Sequence, residues 1–388
     1  MDAVGLDTVE HIETHYIKER KLASSHLDWL KATYIDQGKL GKKSPDKGGL
    51  YDPPAPGSQT RLLVLNLGLA EPLKGKSMNQ IQHSGEILQL TAEDKGSRPI
   101  RLLGSLPSPD GIDIATSIKR MYWTNMGHPK QNDGCIQSAN LDGSDVRDVI
   151  PAGKGLHTPK QLTIDQKSNK IYCCDREGLK IIRCNLDGTG LETIYQSGDW
   201  ETEPEKKSDA TYWPVGIALS TKHDKLFWTQ KGHSKASEGR IFCASMSKVP
   251  ADPARRDDVE IVANGLPECI DLDFDDQDSY LYWTDRGELP LGNTLNRKRI
   301  RGYQQQQPPL DSSGGGGGGG DEAERPFGRE ILAQGLGEGI GLRLHKANRC
   351  LYVADLGGRV WKCSTEGGKE KVFEGNGHAY TGIAFYTV

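Results

Sequence analysis

Short runs of alternating apolar and polar residues follow one another along most of the chain, and they recur in a fixed order. Residues 158–198 show one such unit, with runs at 161–165, "KIYCCD", "LKIIRCNLD" and "LETIYQ" separated by turns rich in Lys, Asn, Asp and Gly. A period of two with turn residues between the runs predicts four antiparallel strands. Four strands in about 40 residues are the size of one β-propeller blade.

The second strand of each unit carries an aromatic motif. Its copies begin at residues 121, 171, 226, 281 and 351 and read "MYWTNMG", "IYCCDREG", "LFWTQKG", "LYWTDRG" and "LYVADLGG". The first strands of the other four units are expected to begin at Pro109, Pro214, Pro267 and Gly337. Five complete units therefore lie between residue 109 and the end of the chain.

A sixth blade has to be assembled from both ends of the repeat region. A lone first strand, "YTGIAFY", covers residues 380–386, and three strands without a first one are expected at 61–68, 85–91 and 100–106. Their pairing would close a ring and remove exposed sheet edges. The sequence therefore predicts an all-β fold, a six-bladed β-propeller over residues 55–388, with an insertion at 303–326 whose Gln, Pro and Gly content predicts disorder.

Within the motif, wide aromatic rings suit the space between neighbouring sheets, and polar ends suit the backbone groups at the end of a blade. Structural roles are therefore predicted for Trp123, Trp228, Trp283, Asp175, Asp285 and Asp355.

The first 54 residues follow a helical pattern instead. Apolar residues recur at helical spacing after a candidate cap at Asp7 and again after Ser25, and the pattern stops at Gly38. Two amphipathic helices are predicted here, ahead of a tail rich in Gly and Lys. The apolar positions are Leu6, Val9, Ile12, Tyr16 and Ile17 in the first helix, and Leu27, Leu30 and Tyr34 in the second.

Composition narrows the function classes. The 388 residues are 35% hydrophobic and 26% charged, with a net charge of -4, so neither nucleic acid nor a membrane surface is an expected partner. The amino terminus lacks the apolar run of a signal peptide, and the eight cysteines show no CxxC spacing. We expect a cytoplasmic protein with small buried thiols.

Two resemblances follow from these motifs. The "YWTD" at 282–285 and its echoes resemble the YWTD repeat of low-density lipoprotein receptor class B domains, which implies a six-bladed propeller over roughly residues 60–388 but no receptor role. "DAVGLDTVEHI" and "GKLGKKSPDKGGLYDPP" resemble the end of the carboxy-terminal helical domain of 3-hydroxyacyl-CoA dehydrogenases, in particular the lambda-crystallin-like branch. This second resemblance covers residues 1–54.

The dehydrogenase resemblance implies a Rossmann domain and a catalytic His-Glu pair upstream of this segment, and we expect the chain to lack both. No GxGxxG follows a strand and opens a helix in this sequence. The chain alone is therefore not expected to be a competent NAD-dependent dehydrogenase, and no catalytic or cofactor-binding residue is predicted.

One candidate site comes from aligning the first strands at the residue before their "GI"-type pair. Equivalent positions in a closed ring face the channel entrance, and this alignment gives Asp110, Lys160, Val215, Glu268, Glu338 and Thr381. Asp110, Glu268 and Glu338 could hold a divalent cation, Ca²⁺ or Mg²⁺, because these ions prefer oxygen ligands. The alternative is a hydrated mouth of mixed charge without a ligand.

Two functions follow as alternatives. In the first, the propeller is a binding or scaffold module for a protein or small molecule at its face. It would be accessory to the catabolism of small carboxylic acids or xenobiotics, and residues 1–54 would associate with a dehydrogenase-like partner. In the second, it is a metal-assisted hydrolase or lactonase of small esters.

Overall fold

The computed structural model describes residues 5–44, 47–48, 58–69, 77–94, 96, 98–128, 131–248, 251–300 and 328–388. The predicted insertion at 303–326 lies outside them. The chain divides into two compact units, Met1–Gln59 with His345–Cys350, and Thr60–Leu344 with Leu351–Val388.

The first unit is helical, as the sequence predicts. It contains α1 (Leu6–Arg20), α2 (Ser25–Leu30), a π-helical turn (Lys31–Ile35) and a 3-10 turn (Gly41–Lys43). The buried side chains of Leu6, Leu27 and Leu30 form its small core. Ile12 and Tyr16, two of the apolar positions predicted for the first helix, are 49% and 43% exposed.

Asp7 does not cap α1. The residue at the N-cap is Gly5, and Asp7 lies in the first turn of the helix. Its Oδ1 accepts a hydrogen bond from Lys43 Nζ at 2.9 Å, so the carboxylate is used to pair the helix with the 3-10 turn.

The second unit is a six-bladed β-propeller. Its 24 strands, counted over the described residues, form six four-stranded antiparallel sheets. Blade 1 comprises β4 (Pro109–Ala115), β5 (Arg120–Asn125), β6 (Cys135–Asn140) and β7 (Arg147–Ile150). Blade 2 comprises β8 (Pro159–Asp165), β9 (Lys170–Asp175), β10 (Lys180–Asn185) and β11 (Glu192–Gln196). Blade 3 comprises β12 (Pro214–Ser220), β13 (Lys225–Gln230), β14 (Gly239–Ser245) and β15 (Glu260–Leu266).

The remaining blades follow the same plan. Blade 4 comprises β16 (Cys269–Asp275), β17 (Tyr280–Asp285), β18 (Thr294–Arg299) and β19 (Glu330–Gln334), and blade 5 comprises β20 (Gly339–His345), β21 (Cys350–Asp355), β22 (Arg359–Ser364) and β23 (Lys369–Glu374). Blade 6 comprises β1 (Thr60–Asn66), β2 (Gly85–Thr91), β3 (Ile100–Leu106) and β24 (Tyr380–Thr387). Short helices lie between strands, α3 (Met78–Gln82) and α4 (Pro204–Ser208), with 3-10 turns at Ala210–Tyr212 and Pro253–Arg255.

The ring closes through blade 6, as the sequence predicts. The inner strand β24 pairs antiparallel with β1, and Leu63 lies opposite Ala384 in their register. The pairing gives β1 a hydrogen-bonded neighbour on each side, β24 and β2, which protects its edges from pairing with other chains.

The aromatic motif packs between the blades. Trp123, Trp228 and Trp283 are fully buried, which confirms the alignment of the second strands. Trp228 of blade 3, for example, packs against Tyr195 of blade 2 with ring centroids 4.6 Å apart. Burial of rings of this size supplies much of the hydrophobic stabilisation of the fold.

The motif's threonine joins one blade to the next. Thr229 Oγ1 accepts a hydrogen bond from Gly216 N in its own blade at 2.8 Å and donates one to Ile270 O of blade 4 at 2.6 Å. Thr124 makes the equivalent pair of contacts with Gly111 N and Lys160 O, both at 2.8 Å. One hydroxyl thus satisfies backbone groups of two sheets.

The acidic end of the motif binds backbone amides, as predicted. Asp175 accepts hydrogen bonds from the amides of His157 and Thr158, and Asp355 from those of Gly337 and Arg359. Asp285 accepts one from Glu268 N at 2.7 Å and pairs with Arg329.

The eight cysteines are all buried free thiols. None of the helices formed by the described residues combines the length and the apolar composition needed to cross a lipid bilayer.

Candidate functional site

A cavity of 390 Å³ lies on the ring axis, at the ends where the inner strands begin. The inner strand of every blade contributes one residue to its wall, and we call this set the inner ring. Its members, in blade order, are Asp110, Lys160, Val215, Ile270, Ile340 and Thr381.

The six positions are structurally equivalent. They directly precede a site where the inner strands approach each other so closely that a Cβ atom on Gly111, Gly216 or Gly341 would come within 2.6 Å of the next blade's backbone. Glycine is required at these three positions because it has no side chain to collide, whereas Gln161 and Asp271 follow the inner-ring residues of blades 2 and 4.

A second set of six, the outer ring, lies one residue beyond the end of each second strand. From blade 1 to blade 6 its members are Met126, Arg176, Lys231, Arg286, Leu356 and Leu67. Three basic residues therefore stand in the consecutive blades 2, 3 and 4, and three apolar residues stand in blades 5, 6 and 1.

The alignment that placed Glu268 and Glu338 in the inner ring is wrong by two residues. Cys269 pairs with Asp285 just as Pro109 pairs with Asn125, so Ile270, not Glu268, is equivalent to Asp110. In blade 5, Leu356 N donates to Glu338 O, matching the bond from Met126 N to Ser108 O in blade 1. The inner ring therefore holds one carboxylate, not three.

Glu268 nevertheless contributes to the site from behind the cavity wall. This carboxylate is 2% exposed and accepts hydrogen bonds from Lys231 Nζ and Arg286 Nε, each at 2.9 Å. Glu338 is 52% exposed, and its Oε2 lies 3.7 Å from Arg286 Nη1. Both glutamates are therefore partners of outer-ring cations.

The other two cations are paired in the same way. Lys160 Nζ donates to the Asp110 carboxylate, and desolvation lowers the lysine pKa although that partner opposes the effect. Arg176 donates from Nε and Nη2 to Glu177 at 2.8 Å and 2.5 Å. Burial works to raise the pKa of Glu177, but the hydrogen bond and charge of Arg176, together with Thr158 and Lys160, outweigh it and the pKa is lowered.

Trp213 braces two of these cations. The Arg176 guanidinium lies 5.0 Å from the centroid of its ring and the Lys231 ammonium 5.7 Å, within the range of cation–π attraction. The indole Nε1 donates to Lys207 O at 2.8 Å, which holds the ring in place.

Farther along the inner strands than the residues that line the cavity, Arg343 of β20 forms a polar cluster that we call the floor. Its Nη1 lies 3.3 Å from Asp271 Oδ2, and its Nη2 donates to Ile112 O and Leu162 O at 3.0 Å and 2.9 Å. Residues of blades 5, 4, 1 and 2 are thus joined across the ring axis. Burial raises the pKa of Asp271 to about 7 despite this partner.

The predicted Ca²⁺ or Mg²⁺ site at Asp110, Glu268 and Glu338 stays a prediction. Over the part of the chain that the structure describes, no three His, Cys, Asp or Glu side chains form a group that could hold a metal ion. Asp110, Glu268 and Glu338 each lie beside a basic side chain, which leaves less unpaired negative charge than the alignment implied.

The sequence analysis missed the outer ring and Trp213. The outer ring could have been identified from the sequence, because its members directly follow the last residue of each aromatic motif, as in "CCDR", "FWTQK" and "YWTDR". Trp213 gave no comparable signal, since it lies in an insertion between β11 and β12 that has no counterpart in the repeat.

Comparison with known proteins identifies relatives over nearly the whole chain. The "3-hydroxyacyl-CoA dehydrogenase-like protein LAM1" of Cochliobolus heterostrophus is 42% identical over 393 residues, covering 99% of this chain and 78% of that protein. The "Low-density lipoprotein receptor-related protein 1" of Pyricularia oryzae is 40% identical over 326 residues, covering 84% of this chain and 97% of that one. No family model matches the sequence.

Solved structures agree on the fold. A propeller from the nidogen/laminin complex superposes with a TM-score of 0.57 at 18% identity, covering 84% of this chain and 98% of that one. TolB from Acinetobacter baumannii gives 0.53 at 10% identity, over 84% of this chain and 66% of its own. The YWTD-type six-bladed propeller and the dehydrogenase-like amino-terminal segment are therefore both supported.

Proposed function

The chain belongs to the family of the 3-hydroxyacyl-CoA dehydrogenase-like protein LAM1, and from that premise we propose that its propeller is a ligand-binding module. The ligand occupies the cavity formed by the inner and outer rings. The observation that carries this proposal is that all six blades contribute equivalent positions to one cavity of 390 Å³. Small-molecule sites typically enclose about 300–1,000 Å³.

The cavity walls also support binding rather than a purely structural role. Side chains that serve only to hold a propeller together are apolar or satisfy the backbone, as Trp228 and Thr229 do. The outer-ring cations instead end at the cavity surface, where Arg176 and Arg286 are 22% and 26% exposed. Convergent polar groups in an otherwise apolar cavity are typical of a binding site.

A fragment screen followed by ligand-observed NMR tests this function. The library contains neutral, anionic and cationic compounds, and each hit is measured again with the variant Val215→Phe, which places a larger ring in the cavity. The matched control is Ile118→Phe at a site that is 54% exposed and outside the cavity. Hits lost in Val215→Phe and kept in Ile118→Phe would support the proposal, and hits kept in both variants would contradict it.

A role for the first unit belongs to the same proposal. Ile12 and Tyr16 lie one helical turn apart on α1 and are both exposed, which supports association through this helix. The partner would be a 3-hydroxyacyl-CoA dehydrogenase, in the catabolism of small carboxylic acids or xenobiotics. We expect the full chain to co-sediment with such an enzyme and the double variant Ile12→Glu, Tyr16→Glu to lose this association. Equal co-sedimentation of the wild type and the double variant would contradict the proposed association.

The second alternative, a metal-assisted hydrolase, has less support. It needs carboxylates free to bind a cation, and the three candidates lie beside basic side chains. We therefore favour the binding module.

A further inference from the structure

We infer that the cavity takes a small organic anion that carries an apolar tail, with its carboxylate or phosphate head on the basic side of the outer ring and its tail across the ring axis. This inference rests on the proposed binding function and names the chemical class of the ligand. It follows from how charge and apolar surface are distributed around the two rings.

The charges that reach the cavity surface are mainly positive. In two of the ion pairs the carboxylate is more deeply buried than its basic partner: Glu268 is 2% exposed against 26% for Arg286, and Glu177 is 11% exposed against 22% for Arg176. Glu268 and Glu177 therefore hold these cations in place from behind, whereas Glu338 is 52% exposed beside Arg286. The charged residues that line the cavity are one carboxylate, Asp110, and four basic residues, Lys160, Arg176, Lys231 and Arg286.

The two arginines also keep hydrogen-bond donors for a ligand. Glu177 occupies Nε and Nη2 of Arg176, and no described residue accepts a bond from its Nη1. Glu268 occupies Nε of Arg286, and its Nη2 has no acceptor among the described residues. Fixed guanidinium groups with free N–H bonds suit the oxygens of a carboxylate or phosphate.

These donors are held rigidly. Glu268 accepts bonds from both Lys231 and Arg286, and so fixes the basic groups of blades 3 and 4 relative to each other. Trp213 does the same for Arg176 and Lys231 of blades 2 and 3. Preorganised groups lose little conformational entropy when a ligand binds.

The opposite side of the outer ring is apolar. Leu356, Leu67 and Met126 continue it through blades 5, 6 and 1. In the inner ring, Val215, Ile270 and Ile340 of blades 3, 4 and 5 form one hydrophobic cluster with Leu356, while Thr381 and Asp110 lie in blades 6 and 1. An anion without a tail would leave this surface in water, whereas an alkyl or aryl group would cover it.

The floor sets the depth that a tail can reach. Arg343 bonds to backbone carbonyls on the far side of the ring axis, so the space beneath the inner ring is occupied by its guanidinium. A ligand therefore lies across the cavity between the two sides of the outer ring. This arrangement favours a compact amphipathic anion over an extended chain that threads the ring.

Calorimetric titration of matched probes into the full chain tests the inference. The probes are octanoate, octyl phosphate, octanol, octylammonium and the shorter carboxylates acetate and butanoate. We expect octanoate or octyl phosphate to bind, octylammonium not to bind, and affinity to rise about three- to fourfold for each added methylene. The relative affinity of octanoate and octyl phosphate identifies the preferred head group.

The variants Arg176→Gln and Arg286→Gln, alone and combined, test the head-group contacts. Each should weaken octanoate binding about tenfold or more, the effect of losing a charge-assisted hydrogen bond. Arg147→Gln is the matched control, because this arginine is 67% exposed and lies outside the cavity. If the double variant fails to fold, the probe series on the wild-type protein still decides the question.

The outcomes separate this inference from the proposed function. The anion assignment would be overturned if octanol and octylammonium bound as tightly as octanoate and Val215→Phe bound none of the three. The cavity would then still be a binding site. Octanoate affinity unchanged in both arginine variants would overturn it as well. Probes that bind equally to the wild type and to Val215→Phe would contradict the cavity itself.

Discussion

Arg343 of blade 5 pairs with Asp271 of the neighbouring blade 4, its Nη1 lying 3.3 Å from the Asp271 Oδ2 atom. The same guanidinium donates to the carbonyl oxygens of Ile112 and Leu162. One side chain thus holds four inner strands together at the place where their backbones leave polar groups without a neighbouring strand.

Replacing Arg343 with Met should therefore lower the free energy of unfolding by about 3–5 kcal/mol, because the buried Asp271 carboxyl loses its charged partner and the carbonyl oxygens of Ile112 and Leu162 lose their donor. Chemical denaturation monitored by tryptophan fluorescence measures the change. The exposed Arg147→Met variant is the control and should lose less than about 0.5 kcal/mol. Adding Asp271→Asn to Arg343→Met should cost less than Asp271→Asn costs alone, and strict additivity would contradict a direct coupling.

The raised pKa values of two buried carboxyl groups predict how the stability of the fold depends on pH. Burial raises the pKa of its carboxyl to about 7 from 3.8, and that of Asp285 to about 6. The folded protein then holds these protons more tightly than the unfolded chain. Their contribution to stability is complete below about pH 4 and is lost as the pH rises through about 6 and 7.

Urea denaturation at a series of pH values measures this dependence. The loss of stability between about pH 4 and pH 7 should become smaller in Asp271→Asn. Glu205→Gln, in the exposed part of α4, should leave the profile unchanged. The same slope in the wild type and in Asp271→Asn would contradict the assignment.

Truncating Trp283 to Ala should lower the free energy of unfolding by about 3–5 kcal/mol, because it opens a cavity between two sheets. Trp29, which is 56% exposed in the first unit, supplies the control Trp29→Ala. A loss at Trp283 no larger than at Trp29 would mean that the indole does not pack as described.

The bridging hydroxyl of Thr229 offers a test at the scale of a single atom. Thr229→Val preserves shape but removes the acceptor for Gly216 N and the donor to Ile270 O, so it should destabilise the fold by about 1–3 kcal/mol. Thr229→Ser should recover part of this loss. If Val and Ser were equally destabilising, lost methyl packing and not the hydroxyl would be the cause.

Metal binding remains the discriminating test for the hydrolase alternative. Glu268 already bridges Lys231 and Arg286, so it has little free charge to offer a metal ion. We therefore expect calorimetric titration of Ca²⁺ or Mg²⁺ into chelator-treated protein to give the same weak heat signal for the wild type and for the double variant Glu268→Gln, Glu338→Gln. Tight binding that is lost in the double variant, together with cleavage of a lactone or aryl ester, would restore the metal-assisted hydrolase.

The sequence predicted the architecture well, because its evidence is repeated. Each copy of the aromatic motif buries a Tyr or Phe ring, and three copies add a Trp and a Thr, so errors in one copy are corrected by the others. The ring closure was predictable for a similar reason, since three strands lacked an inner partner and one inner strand lacked a blade.

The site was harder to predict than the fold. In three blades a proline directly precedes the inner-ring residue, but in blade 4 Pro267 comes three residues before Ile270. The sequence "ECI" after this proline resembles the expected "GI"-type pair with Glu268 before it, which led to the wrong alignment. The pairing of Cys269 with Asp285 decides the register, and only the backbone reveals it. The charges behind the cavity wall were missed because they depend on which strand ends meet in space.

Blade 6 gives the propeller a particular order of events during protein synthesis. Blades 1 to 5 are each built from strands that leave the ribosome one after another, and each can pair as it emerges. Strands β1, β2 and β3 emerge first but must wait for Tyr380–Thr387, translated after all the other blades, before their sheet is complete. For most of translation the nascent chain thus carries a sheet with one unpaired edge. A premature stop codon just before Tyr380 would leave this edge unpaired in the finished chain, where chaperones and proteases could bind it.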